Sequence, residues 1–215
     1  MIEKLTKCLK LQNKFNASVN PDWQTAGYAW KRAMWVEAAE LTDHLNYKWW
    51  KNVNKIGDRE QALLEAVDIF HFLLSDVMIQ WQENYKSDPL FVQKQLANAY
   101  DFALKHGKQS EKEVTFQKIE DFVSDCVEGR NAVKTYFNMI VALGFTLEDV
   151  VDYYLGKNAL NLFRLDHGYR EGTYQKAWNG KEDNVILDEI LKTGERNFDS
   201  IYLELNRRYV EALSV

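Results

Sequence analysis

Only two of the 215 residues in this chain, Pro21 and Pro89, are proline. Proline removes a backbone donor and clashes with the turn before it, so its scarcity leaves long stretches able to run as unbroken helix. Ten glycines and extended runs of Ala, Leu, Glu, Lys and Gln argue the same way, against a turn-dense β architecture. The predicted fold is all-α, a multi-helix bundle forming a single domain over residues 1–215.

Ile2, Leu5, Leu9, Leu11 and Phe15 trace a helical stripe, which predicts a first helix over about 2–16, closed by the turn vocabulary of NASVNPDW. Further helices are expected over 27–46 and over 58–85, the latter with Asp58 as N-cap. A fourth segment starts at Asp88-Pro89 and reaches KHGKQ, and a fifth begins near Lys112. Gly129 and Gly144 punctuate two more helices, the second capped by Thr146 with Asp149 three residues on. Helices near 184–193 and 198–213 close the chain. Residues 165–183, LDHGYREGTYQKAWNGKED, lack a sustained apolar period and predict an ordered functional loop or an unusually long connector.

A net charge of −5 argues against a generic nucleic-acid binder. Cys8 and Cys126 lie far apart and outside any metal-ligand spacing, as expected of plain thiols in a reducing compartment. Lysines interrupt the apolar pattern of MIEKLTKCLKLQNKF, unlike a secretory signal. The expected location is the cytoplasm. The most apolar run, IFHFLLSDVMIQW, is too short to span a membrane and contains His71 and Asp76, so it reads as a buried helix.

Acidic residues recur inside apolar helical patterns. Glu37 and Glu40 sit three apart in MWVEAAELTDHL, and Glu65 and Asp68 repeat the spacing in LLEAVDIFHFLL. Positions three apart on a helix project about 60° from each other, so each pair shares a face. One ExxE is common on solvated faces, with Lys31, Arg32 or Arg59 as neutralising partners. Two pairs among Leu, Val, Ile, Phe and Trp are different, because inward-facing carboxylates cost several kcal/mol each unless cations compensate them. Carboxylate oxygens suit Mg2+ or Mn2+. Asp68 and His71, three apart, also leave open a carboxylate-bridged di-iron protein, though the second helix has no Glu-x-x-His counterpart.

The second constellation is basic. Helical spacing aligns Lys157, Asn161 and Arg164, and Arg170, Lys176 and Lys181 follow, a local cationic excess suited to phosphates. Acidic groups for a metal and basic groups for phosphate oxygens together equip a site for phosphoryl chemistry. There is no Gly-rich Walker loop.

KLQNKFN, VEAAEL, YKWWKN, EAVDIFHFLLS and above all GKNALNLFRLDHGYREGTYQKAWNGKEDN resemble the all-α dimeric dUTPases, a family related to MazG-like nucleoside triphosphate pyrophosphatases. The resemblance spans nearly the whole chain and implies hydrolysis of dUTP, and of dUDP, to dUMP. It implies Mg2+ (or Mn2+) held by Glu37, Glu40, Glu65 and Asp68, with Glu37 activating water and Glu40 its rival. Lys157, Arg164, Tyr169, Arg170 and Lys176 are implied as phosphate-binding. Gln12, Asn16, Trp49, His71 and Asn161 are implied around the base and sugar. A homodimer is implied as well. Broader MazG-like specificity is the alternative on the acidic motifs alone. Without the resemblance, Gln12 and Asn16 read equally as surface polarity, and Trp49 as core.

Overall fold

A computed structural model describes residues 1–51, 57–107 and 112–213. The ends of YKWWKN and KHGKQ, at residue 52 and at residues 108 and 109, lie outside them. The described residues form ten helices and one two-stranded hairpin, the all-α bundle expected. In order the helices are α1 (Ile2–Val19), α2 (Trp30–His44), α3 (Arg59–Gln80), α4 (Gln82–Ser87), α5 (Phe91–His106), α6 (Lys112–Val127), α7 (Val133–Ala142), α8 (Leu147–Asp166), α9 (Asp183–Lys192) and α10 (Phe198–Leu213). Strands β1 (Ala177–Trp178) and β2 (Lys181–Glu182) pair antiparallel just before α9. Among the described residues no helix is long and apolar enough to cross a membrane.

Both prolines act through the residue before them, which their ring forces out of helical dihedrals. Asn20 is extended at φ −152°, ψ 115°, so α1 runs to Val19, past the expected end at 16. Asp88 is extended at φ −136°, ψ 103° and ends α4. The helix expected over 58–85 is two helices, because Trp81 leaves helical geometry and sets its ring edge-on to Phe91 at 5.9 Å. Asp58 caps α3 by accepting from the Gln61 N–H at 3.0 Å. Thr146 and Asp149 form the reciprocal capping pair: Thr146 Oγ1 accepts from the Asp149 N–H, and Asp149 Oδ2 accepts from the Thr146 N–H.

A single domain over 1–215 is the expectation from sequence; the structure divides into two compact units, 1–151 and 152–215. In the first, α2 packs along α3, and α3 carries the densest core, with Val67, Ile69, Phe70, Leu73 and Leu74 fully buried. Tyr136 of α7 stacks on Phe70 at 5.8 Å, and its hydroxyl donates to the Ala66 carbonyl at 2.9 Å. Cys8 and Cys126 are both buried, and burial pushes the Cys126 thiol up to about 12, which makes it inert.

The second unit is built around Phe163. Its ring stacks on His167 at 3.9 Å and meets Tyr209 and Trp178 edge-on at 5.3 and 5.6 Å. Trp178 reaches this core from the hairpin, which turns through Asn179 (φ 49°) and Gly180 (φ 78°), the left-handed pair that tight hairpins require. The 165–183 stretch is therefore ordered. Replacing Phe163 with Ala should destabilise this unit by about 3–5 kcal/mol in denaturant unfolding. Hydrogen bonds from Arg207 and Arg208 hold the α10 residue Glu204 well below its ordinary 4.5, at about 2. Its stabilising contribution is present above its unfolded value and is lost as pH falls through about 2. Glu204→Gln should accordingly flatten the acid limb of the stability curve between those two values, as read by circular dichroism.

Candidate active site

Glu37 of α2 and Glu65 and Asp68 of α3 meet where the two helices pack. Each is half-buried, and one carboxylate oxygen from each lies within 4.8 Å of the others. Coulomb repulsion at such separations is on the order of 3 kcal/mol per pair at an effective dielectric of about 20. Lys31 and Arg59 are engaged away from the trio. Lys31 pairs with Asp76 at 3.1 Å, while Arg59 donates to the Leu143 and Gly144 carbonyls at 2.8 Å each. His44 Nε2 stands 3.5 Å from Glu65 Oε1. The donor set fits a hard divalent cation: with oxygen ligands about 2.1 Å from Mg2+, opposite oxygens lie about 4.2 Å apart, so small side-chain rotations suffice.

Glu40 is not part of the trio. It is solvent-exposed and lines a groove of 1170 Å³ between α2 and α6, together with Trp35, Thr42, Trp49 and Phe116. Trp49 is 75% exposed and is therefore not a core residue.

Gln12, Asn16 and His71 come together. All three are at least 95% buried, which removes the surface-polarity explanation for Gln12 and Asn16. Gln12 Nε2 donates to Asn16 Oδ1 at 2.8 Å, and His71 Nδ1 lies 2.7 Å from Gln12 Oε1. His71 follows Asp68 on α3 by one turn, about 4.5 Å of helix rise. Its ring does not join the acidic trio, and the di-iron pattern loses its histidine there. Sequence reasoning missed Ser75, which accepts from Asn16 Nδ2 at 2.9 Å; its place four residues after His71 was the available signal.

In the second unit Arg164 grips Asp183, which has no exposed surface. Nε and Nη2 donate to its two oxygens at 2.8 Å each, and Nη1 donates to Asn161 Oδ1 at 3.2 Å. Burial opposes the guanidinium charge, but the bonds and charge of Asp183 prevail and raise the Arg164 pKa. Tyr174 donates to the same carboxylate at 2.8 Å; burial and this bond raise its pKa. Lys157 is buried, with Nζ 3.3 Å from Asn184 Oδ1, whereas Tyr169, Arg170 and Lys176 are exposed. Asp183 was invisible in sequence, nineteen residues from its partner.

A half-buried carboxylate trio within a helix pair places the chain among helical proteins with a candidate divalent-metal site. The family model described as dUTPase matches residues 4–169, more than half of the chain. The chain belongs to this all-α dUTPase family, and is thus an enzyme that hydrolyses dUTP. The match contains every predicted site residue except Arg170 and Lys176. A comparison with curated proteins returned no match.

Because Asp183 is buried, Arg164→Ala should strand its charge and cost about 3–5 kcal/mol of stability in chemical unfolding. Lost activity in that variant would by itself say nothing about phosphate.

Proposed function

We propose that the enzyme hydrolyses dUTP, and also dUDP, to dUMP with release of pyrophosphate or phosphate respectively, in a reaction that requires Mg2+ and accepts Mn2+. The observation that carries this reading is the trio of Glu37, Glu65 and Asp68, whose mutual repulsion a divalent cation would relieve. When bound, such an ion supplies positive charge to phosphate oxygens and eases the ionisation of water. The trio would hold it, with Glu40, one turn along α2, proposed as a fourth carboxylate. Glu37 is the preferred base for the attacking water, and Glu40 the second choice.

Lys157, Arg164, Tyr169, Arg170 and Lys176 are proposed to bind the phosphate chain. For Arg164, Asp183 already takes the Nε and Nη2 edge, so a phosphate oxygen would meet the Nη1 side beside Asn161. Gln12, Asn16, Trp49, His71 and Asn161 are proposed around uracil and deoxyribose. Amides suit the uracil edge because they donate and accept side by side. Cytosine, with a different donor and acceptor order, would leave buried groups unpaired. The family resemblance adds a homodimeric working form to the proposal, and the separated thiols and lysine-interrupted N-terminal pattern add a cytoplasmic location.

The test is hydrolysis of dUTP, dCTP, dTTP and UTP with Mg2+. Turnover confined to dUTP is expected; comparable turnover of all four would replace this reading with a broad MazG-like pyrophosphatase. Glu65→Gln should abolish turnover while keeping the helical circular dichroism, and undiminished activity would remove Glu65 from the metal site.

A further inference from the structure

The buried polar residues between α1 and α3 form a closed circuit. It leaves the His71 ring at Nδ1, passes through Gln12 and Asn16 to Ser75, and returns when Ser75 Oγ donates to the His71 backbone carbonyl at 3.0 Å. All four side chains are at least 95% buried, so bulk water does not compete for these bonds.

Such a circuit can run in two directions. Each amide carries a donor and an acceptor on one head, so Gln12 and Asn16 can both turn over without losing their mutual bond, and imidazole has two neutral tautomers. A backbone carbonyl, by contrast, only accepts. With the Ser75 proton committed to the His71 carbonyl, Ser75 must receive from Asn16, Asn16 from Gln12, and Gln12 from a protonated Nδ1. Neutral His71 then carries its lone pair on Nε2. Reversed, Ser75 would donate to Asn16, Gln12 would donate to Nδ1, and the ring proton would sit on Nε2.

We propose that Ser75 is a positioning residue that fixes the direction of this circuit, and through it selects a base whose N3 bears a proton. The proposal rests on the reading above, in which His71 meets the base. Uracil offers an N3–H that a lone pair on Nε2 accepts; cytosine offers a lone pair at N3, and the two lone pairs repel. The selectivity thus originates in a hydroxyl that need not touch the nucleotide.

The test compares the native enzyme with Ser75→Ala and Ser75→Thr by two measurements. Ring 15N shifts of His71 in the resting protein report the tautomer, and kcat/KM for dUTP and dCTP reports selectivity. The native protein should carry its proton on Nδ1. Ser75→Ala should show mixed tautomers and about a tenfold loss of dUTP preference, the weight of one hydrogen bond, with Thr restoring both. An unchanged tautomer and preference in Ser75→Ala, or a proton on Nε2 in the native protein, would overturn the proposal. Should Ser75→Ala lose its helical circular dichroism, the native tautomer alone decides. The shifts need no nucleotide, so a native protein that leaves dUTP intact would refute the functional reading while the circuit is still read.

Discussion

Three carboxylates held at one spot between two helices set the terms for the rest of the first unit. Helices α2 and α3 can pack closely only if Glu37, Glu65 and Asp68 tolerate one another, and the surrounding apolar side chains limit how far solvent can screen them. Of the cations that the sequence offers as neutralising partners, Lys31 pairs with Asp76 and Arg59 donates to backbone carbonyls at the α7–α8 turn. Three like charges repel one another there, and their oxygen donors are of the kind a hard divalent cation takes.

The second unit meets the same problem with an internal solution. Asp183 is buried completely, yet a guanidinium and a phenol satisfy it. One buried anion is thus neutralised within the fold, while in the acidic trio three carboxylates share one spot and His44 Nε2 stands 3.5 Å from Glu65. Asp183 is thus held by a fork and a phenol in one fixed geometry, whereas the trio gathers three oxygens of one sign.

Much of the helical frame was legible from local rules. The capping pair Thr146–Asp149, the cap at Asp58 and the breaks before Pro21 and Pro89 depend on neighbours in sequence. The clustering of Glu37 with Glu65 and Asp68 could be anticipated because helical periodicity places each on the packed side. The direction taken by Glu40 could not, because 60° of rotation decides between the α3 contact and the groove beside α6. The hairpin at Asn179-Gly180 was written plainly in the chain but lay inside a stretch read as loop. The Arg164–Asp183 pair depends on tertiary packing, to which no periodicity points.

The aromatic core around Phe163 has a consequence for where this protein can be divided. The segment shared with the family ends at residue 169, yet Phe163 is covered by Trp178 and Tyr209, which lie beyond that limit. A fragment trimmed to the shared segment would carry a large naked ring and an arginine deprived of its carboxylate. The matched segment therefore ends inside the second compact unit, and its boundary is not a folding boundary.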